Sequence, residues 1–461
     1  MNNFTYLFYD IETTGLNICF DQVLQFAAIR TDMNLNELER YEVNVKLNPE
    51  VLPAPAAIKT HNISLSEMQN GDNEVEAMQK IHALLNEPGT ISVGYNSLSF
   101  DDQFLRFSFY RNLLPPYTHQ YANGCARMDI FPITILFYLF KPEAIQWPEI
   151  NGKISLRLEN LILLNNLAQG AAHNAMVDTE ATLALARKFH QHSDMWHYVT
   201  GYFNKQEDLM RMSQLRQNQA LLLHSKLGAK NYFQAPVLYL GQHEIYKNQS
   251  LWLRLDNEKL QKTTAENIAE NVYVITKRTA EEKIILPPKD RFLKYLTPER
   301  LKLAEENLNW LRDNPNLQQL IADHYLNFTY PKVENIDAAA ALYEIGFPSP
   351  QEQKLFADFH RAPIKDKERV LSRFTHPVYR ELALRILGRN YYSQISENLQ
   401  KEFDDYRQKA LGHSLIDFKG GSKLSKTKAT EELEILLKDQ ALNAQQQNNL
   451  RNYQAFLQEL I

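Results

Sequence analysis

The sequence predicts an α/β protein in three units: a mixed sheet flanked by helices, a β-rich middle and an all-α C-terminal part. Strand-like runs and helical patterns mix over about the first 190 residues. Short β-like runs separated by polar turns follow between about residues 194 and 346. Beyond Pro348 and Pro350 the pattern is almost entirely helical. We therefore predict domains over residues 1–192, 194–346 and 349–461.

The first predicted strand carries two carboxylates. It runs from Leu7 to Gly15 and is apolar around Asp10 and Glu12. Because residues i and i+2 of a strand share a face, these two side chains lie about 7 Å apart. Two like charges on one face are typical of a divalent cation held by oxygen ligands, or of a solvated acidic edge. The motif alone leaves both interpretations open.

Two further strands and a crossover follow in order. The runs Gln22 to Arg30 and Tyr41 to Leu47 complete a predicted antiparallel meander. Apolar residues at helical spacing predict a helix over residues 73–86, and a strand is predicted over Thr90 to Tyr95. A helix then runs from Asp101 to Arg111, so Asp101 lies at a strand-to-helix crossover, where α/β sheets bind ligands.

The last helical patterns of this region lead to a second acidic group. They cover Asp129 to Phe140, Leu156 to Asn165 and Met176 to His190. His173 lies in the loop before the third of these helices, and Asp178 lies in its first turns. A histidine at this distance from an aspartate is also typical of capping or core packing, so the pair gains meaning only together with the other motifs.

The middle and the C-terminal part show different patterns. Runs at Val237 to Leu240, Ser250 to Leu255 and Val272 to Thr276 predict a small barrel. A helix is predicted over Pro298 to Arg312, and the last helical pattern covers Thr430 to Ile461.

Composition narrows the class of protein. With 461 residues, 44% hydrophobic and 23% charged, the chain can form two or three globular domains. Two cysteines and a start without a signal-like segment favour a reducing cytoplasm. The longest apolar run, Ile130 to Phe140, is too short for a membrane span. A net charge of −5 means that a nucleic acid would need a local basic patch.

Three motifs together resemble the DEDD exonucleases, in the subgroup with a histidine in the third motif. They read Asp10-Ile11-Glu12, then Asn96 with Phe100-Asp101, then His173 to Asp178. The resemblance implies a ribonuclease-H-like exonuclease domain, two bound divalent metals and hydrolysis from a 3′ end.

Further segments resemble a bacterial branch of this family that degrades single-stranded DNA. These segments are Gln25 to Asp32, Gly94-Tyr95-Asn96, Phe109 to Asn112, Arg157-Leu158-Glu159 and Asn174-Ala175-Met176, with weaker likeness at 307–315 and 335–338. This closer resemblance implies an SH3-like barrel and a helical C-terminal domain that close around a single strand.

The resemblance also implies roles for individual residues. Asp10, Glu12, Asp101 and Asp178 would hold two Mg²⁺ ions, or Mn²⁺. His173, with an ordinary pKa near 6.5, would be the general base and would also contact substrate. Expected substrate contacts are Glu12 on the terminal 3′-hydroxyl, Arg106 and Arg157 on phosphates, and Tyr117 and Tyr121 stacking on bases. Structural roles for Arg106, Arg157, Tyr117 and Tyr121 stay open at this point.

The implied activity is 3′→5′ degradation of single-stranded DNA to nucleoside 5′-monophosphates in repair and recombination. The implied partner is the single-stranded-DNA-binding protein, bound through its acidic C-terminal tail, and a monomer is expected. One alternative is an exoribonuclease of the same fold, which the long C-terminal half disfavours. The other is a non-catalytic scaffold for single-stranded DNA, which the complete set of five catalytic residue types disfavours.

A basic loop with glycines, Lys419 to Lys428, departs from the resemblance. It either contacts the DNA backbone or is a solvated loop between helices, and its composition favours the second interpretation.

Overall fold

A five-stranded mixed sheet organises the N-terminal region in the computed structural model, which describes residues 4–169, 174–215, 219–412 and 415–460. The strand order is β3-β2-β1-β4-β5. The first three strands form an antiparallel meander, as predicted, and the two others run parallel to the first. The strands are β1 (Thr5–Thr13), β2 (Val23–Thr31), β3 (Glu37–Asn44), β4 (Thr90–Gly94) and β5 (Ala126–Asp129).

Helices cover both faces of this sheet. Leu7, Tyr9 and Ile11 of β1 pack towards the third and fourth helices of the chain, whereas Phe8 packs on the opposite face, towards the fifth and seventh. The helices are α1 (Pro55–His61), α2 (Leu65–Met68), α3 (Glu74–Leu85), α4 (Asp101–Arg111), α5 (Ile130–Phe140), α6 (Leu158–Asn165) and α7 (Ala175–His190), and a short hairpin joins β6 (Glu149–Ile150) to β7 (Lys153–Ile154). Asp10 and Glu12 continue the Phe8 series, so their side chains point to the face that α7 covers.

Two strands of the sheet differ from the sequence expectation. β3 begins at Glu37 rather than Tyr41, because this edge strand pairs with β2 through its backbone while its first four side chains are exposed. These first four residues have no buried face, so they show no apolar alternation to detect. β5 has only four residues; the sequence predicts no strand there and begins a helix at its last residue, Asp129, so its pairing with β4 defines it.

The middle of the chain forms a second five-stranded sheet, entirely antiparallel, in the order β11-β10-β9-β8-β12. Its strands are β8 (Gln219–Leu223), β9 (Gln234–Gln242), β10 (Gln249–Arg254), β11 (Val274–Arg278) and β12 (Ile284–Leu286), with α8 (Ser193–Thr200) and α9 (Lys205–Ser213) before them and α10 (Ile268–Asn271) and α11 (Asp290–Leu293) within or after them. The predicted runs fall on β9, β10 and β11, and the sequence does not single out β8 or β12. An SH3-like barrel stays a prediction.

The remainder is helical, as predicted. The helix predicted from Pro298 is present, and the last pattern divides into two helices rather than one. The helices are α12 (Pro298–Asp313), α13 (Pro315–Leu326), α14 (Pro350–Arg361), α15 (Ile364–Leu371), α16 (Pro377–Tyr391), α17 (Glu397–Leu411), α18 (Lys426–Leu436) and α19 (Ala444–Glu459). Phe107 and Tyr110 of α4 share a core with α14 to α17, and α18 and α19 pack on α1.

The basic loop is not simply solvated. Lys423 is only 4% exposed, and its Nζ donates to the backbone oxygen of Glu50 at 2.9 Å. Lys426 begins α18, and its Nζ donates to the oxygen of Leu460. The solvated interpretation of this loop is therefore wrong for these two lysines.

Within the described residues, no helix is both long enough and apolar enough to cross a membrane. Cys19 and Cys125 are buried free thiols.

Candidate active site

Three of the predicted metal ligands converge where β1 meets α7. Asp10, Glu12 and Asp178 each offer one carboxylate oxygen, and these oxygens all lie within 4.8 Å of one another. The strand supplies the first two from one face, and the first turns of the helix supply the third. The alternation of the strand and the position of the helix start therefore place the three carboxylates together.

The start of α7 is fixed by contacts to β2. Asn174 caps the helix, since its side-chain oxygen accepts from the N–H groups of Met176 and Val177. The N–H of Ala175 donates to the Oε1 of Gln25 at 3.3 Å, and Gln25 pairs with Glu12 across the two strands. Gln25 thus joins the ligand-bearing strand to the ligand-bearing helix. The sequence flags Gln25 only as part of a family-like segment and gives no signal of this role.

The fourth carboxylate, Asp101, enters from the crossover between β4 and α4. It begins α4, is 6% exposed, and lies close enough to Asp10 for their charges to interact. The turn before it depends on Asp129 at the end of β5, whose carboxylate accepts from the N–H groups of Asn96 at 2.8 Å and Leu98 at 3.2 Å. Asp129 is a residue that sequence reasoning missed. Its only signal was a polar position directly before an apolar helix.

Burial and mutual repulsion raise the pKa values of three of these carboxyls, those of Asp10, Glu12 and Asp101. Burial, with the charges of Asp101 and Glu12, raises the pKa of Asp10 well above its usual range. Burial and the charge of Asp178 raise the pKa of Glu12 to about 9, and burial raises the pKa of Asp101 to about 8. Oxygen ligands with excess negative charge fit a hard divalent cation, which competes with protons for these oxygens. The residues present therefore fit the divalent metals that the resemblance implies.

His173 lies outside the described residues, so its role as general base stays a prediction.

The predicted phosphate ligands lie in contrasting settings. Arg106 is 8% exposed; it donates to the carboxylate of Asp102 at 2.7 Å and to the hydroxyl of Tyr343 at 3.1 Å. Its guanidinium lies 5.2 Å from the ring of Tyr117. Arg157 precedes α6, and its side chain is 78% exposed. The structure thus brings Arg106 and Tyr117 together and leaves Arg157 in solvent.

Two cavities adjoin the contact between Arg106 and Tyr117. The polar cleft, of about 520 Å³, is lined by Arg106, by Asn96 and Ser99 beside the metal-site crossover, and by Lys226, Arg278 and Lys283 of the middle region. The aromatic cavity, also of about 520 Å³, is lined by Tyr117 and Tyr121 of the N-terminal region and by Phe347, Pro348 and Phe356. One cavity offers cations and the other offers rings, which are the two requirements for holding a single nucleic-acid strand.

Two family models match the chain. One, described as Exonuclease, matches residues 7–186, which contain all four carboxylates. The other, described as Exonuclease I C-terminal domain, matches residues 336–460. The fold and the site together define the class: the protein is an exonuclease whose carboxylate centre is suited to divalent metal ions.

Curated relatives narrow this class. The exodeoxyribonuclease I of Escherichia coli (strain K12) is 30% identical over 384 residues, which cover 78% of this chain and 78% of the relative. That of Haemophilus influenzae is 27% identical over 448 residues, covering 91% and 93%. The chain belongs to the exodeoxyribonuclease I family. The closer resemblance of the sequence to a bacterial branch of the exonuclease family is thereby confirmed.

Solved structures support the same architecture. Exonuclease I from Methylocaldum szegediense aligns with a TM-score of 0.86 and 26% identity, covering 99% of this chain and 100% of the other. Escherichia coli exonuclease I in complex with a dA16 oligonucleotide aligns with a TM-score of 0.86 and 23% identity over the same shares. The predicted mixed α/β exonuclease core and the helical C-terminal region are confirmed, whereas the SH3-like barrel stays a prediction.

Proposed function

We propose that this enzyme degrades single-stranded DNA from the 3′ end to nucleoside 5′-monophosphates, with two Mg²⁺ ions held by Asp10, Glu12, Asp101 and Asp178. The observation that carries the proposal is the convergence of three carboxylate oxygens within 4.8 Å on an exonuclease fold. Similar structures described with dA16 and with a dT13 oligonucleotide support the choice of substrate. Another is described as a zinc-bound complex with single-stranded DNA, which supports a divalent metal without selecting Mg²⁺.

Cleavage of a phosphodiester requires that the negative charge on its oxygens be stabilised. Divalent ions at this site would neutralise the negative charge that builds on the entering and leaving oxygens. Other residues of the chain position the carboxylates: Asp129 fixes the turn before Asp101, and Gln25 fixes the start of α7 and hence Asp178. Glu12 would orient the terminal 3′-hydroxyl, and His173 would accept the proton of the attacking water.

The two cavities would bind different chemical parts of the substrate. Phosphates would follow the polar cleft, where Arg106, Lys226, Arg278 and Lys283 are found. Bases would stack on Tyr117 and Tyr121 in the aromatic cavity. Arg157, being exposed, would reach a phosphate from outside the cleft. Bases within a duplex are stacked on each other and cannot use such rings, which favours single strands.

The proposed partner is the single-stranded-DNA-binding protein. One similar solved structure is described as SSB/Exonuclease I, and we propose that the acidic tail of that partner binds here as well. Pull-down with the partner and with its tail-deleted form tests this contact. Loss of capture on deletion supports it, and undiminished capture contradicts it. We also propose that the enzyme is a monomer. We propose that it acts in the cytoplasm, because the relatives are bacterial and bacterial DNA lies in that compartment.

Digestion of matched single-stranded DNA, duplex DNA and RNA tests the substrate. We expect rapid loss of single-stranded DNA and slow loss of the other two. Faster loss of RNA would assign the enzyme to the exoribonucleases of this fold. Binding of DNA without turnover would leave a non-catalytic scaffold as the better account.

A further inference from the structure

The loop that begins at Asp417 packs against the N-terminal region and is hydrogen-bonded to it. The Oδ1 atom of Asp417 accepts from the N–H groups of Lys419 at 2.8 Å and Gly421 at 2.9 Å. Its Oδ2 atom accepts from the Nδ2 of Asn17 at 2.8 Å, in the loop that follows β1. One buried carboxylate therefore sets the shape of this loop and ties it to the segment beside the metal site.

Ring packing and a buried lysine provide further anchors. The ring of Phe418 stacks on Phe107 of α4, with centroids 5.6 Å apart and an interplanar angle of 7°. On the other side, Lys423 is bound to the oxygen of Glu50. Lys419 lies between these anchors, so its backbone is held on both sides.

Two glycines allow the turn that presents Lys419. Gly420 has a φ of +82°, in the left-handed region that favours glycine. A Cβ atom on Gly421 would lie 2.7 Å from the Oδ2 of Asp417, so a side chain there would displace the anchoring carboxylate. The glycines are therefore part of the anchored turn.

The side chain of Lys419 lines the polar cleft and is exposed. Its ammonium lies 5.4 Å from the ring of Phe418, and among the described residues no carboxylate forms an ion pair with it. Lys226 lines the cleft from the middle region and is likewise without an ion pair in the described part of the chain.

Two carboxylates in the cleft are already partnered. Glu281 lies near Arg127 and Arg278, and Glu282 lies near Lys283 and His224. Lys419 is therefore a cation available to an anion in the cleft.

We propose that Lys419 binds a backbone phosphate of the single strand, as the contribution of the C-terminal region to the polar cleft. This inference rests on the proposed function, because it assigns part of the path of that substrate. The four lysines of the basic loop then divide into distinct roles. Lys423 and Lys426 hold the loop and the start of α18, Lys419 binds substrate, and Lys428 is exposed in the first turn of α18.

Lys428 provides a matched control, because Lys428→Ala removes the same charge from the same loop without touching the cleft. The affinity of each full-length variant for a fluorescent oligothymidylate is measured in EDTA over a range of NaCl concentrations. For Lys419→Ala we expect weaker binding, with the slope of log affinity against log salt reduced by about 0.7, the value for one phosphate contact on a single strand. Lys419→Arg retains the wild-type slope, and Lys428→Ala matches the wild type.

An unchanged slope in Lys419→Ala, or an equal reduction in Lys428→Ala, would overturn the inference. Turnover provides the second measurement: KM for single-stranded DNA rises in Lys419→Ala while kcat is retained. Wild-type digestion is measured in the same series. If the wild type does not degrade single-stranded DNA, the proposed function fails; if it does and the slope is unchanged, only the role of Lys419 fails.

Discussion

At the scale of single residues, the clustered carboxylates of the active site can bind either protons or divalent metal ions. Because burial raises the pKa of Glu12 to about 9 and of Asp101 to about 8, these two carboxyls bind more protons in the folded protein without metal than in the unfolded chain above about pH 4. Burial lowers the pKa of His82 and of His224 to about 4, which opposes this effect below about pH 6.5. Above about pH 6.5, where the histidines are neutral in both states, the free energy of unfolding without metal therefore falls as pH rises towards the pKa values of the two carboxyls.

We expect the melting temperature in EDTA to fall from about pH 7 to about pH 8, and the stabilisation by added Mg²⁺ to grow over the same interval, because the metal competes with protons. Scanning calorimetry at several pH values, with EDTA or Mg²⁺, measures both trends. A stabilisation by Mg²⁺ that is independent of pH would contradict this view of the site.

Asp102, next to Asp101, is a buried carboxylate that contacts three side chains of the protein instead of serving as a metal ligand. It accepts from Arg106 and Arg127, each at 2.7 Å, and lies 2.9 Å from the Nε2 of His119. Burial alone would raise the pKa of Asp102, but Arg127 and Arg106 hold it well below its usual range. This carboxylate positions Arg106 and, through His119, the segment that carries Tyr117 and Tyr121.

Asp102→Ala removes the only carboxylate that the described residues pair with the buried Arg106 and a carboxylate partner of the partly buried Arg127, so we expect a loss of about 3–5 kcal/mol in the free energy of unfolding. Asp72→Ala removes one side of the exposed pair with Lys80 and should cost less than about 1 kcal/mol. Urea denaturation compares the two variants. Equal losses would contradict the role given to Asp102.

At the scale of elements, the sequence predicts best where one face of an element is buried. β1 and α7 carry both periodicity and acidic motifs, and they hold three of the five predicted catalytic residues, while a fourth, Asp101, begins α4. β3 and β5 are less predictable, since an exposed edge and a four-residue strand are defined by backbone pairing. Gln25 and Asp129 act through contacts between elements far apart in the chain, which no local pattern encodes.

The segment between α4 and β5 presents its rings to the aromatic cavity. Tyr121 is 69% exposed there, so it can bind substrate without a large role in the core. Tyr121→Ala should weaken binding of single-stranded DNA by about 1–3 kcal/mol, the usual range for one stacked base, without lowering the melting temperature. Tyr273→Ala, at an exposed ring outside both cavities, is the matched control. Fluorescence anisotropy in EDTA distinguishes them, and equal affinities would contradict the stacking role.

At the scale of the whole molecule, the three regions share their cores. Leu221 and Ile284 of the second sheet lie in the same hydrophobic core as α5 of the N-terminal region, and Phe107 lies in the core of the C-terminal helices. Arg389 of α16 forms buried ion pairs with Glu50 at 2.6 Å and Glu74 at 3.3 Å. The surfaces that would line the DNA path therefore depend on contacts between regions.

We expect thermal unfolding of the full chain to be one cooperative transition, with the same midpoint by far-ultraviolet circular dichroism and by tyrosine and tryptophan fluorescence. Independent domains would instead unfold at separate temperatures. Two resolved transitions would contradict the shared cores.

The most direct test of the account is the digestion of 5′-labelled single-stranded DNA by the wild type, Asp178→Asn and Glu180→Gln, each with Mg²⁺ or EDTA. Glu180→Gln is the matched control, because it makes the same change on the same helix at a residue that pairs with Arg40 instead. We expect the wild type and Glu180→Gln to give fragments that shorten from the 3′ end only with Mg²⁺, and Asp178→Asn to be slower by at least about 100-fold. Undiminished cleavage by Asp178→Asn, or cleavage in EDTA, would contradict the assignment of the carboxylate cluster as the reactive centre.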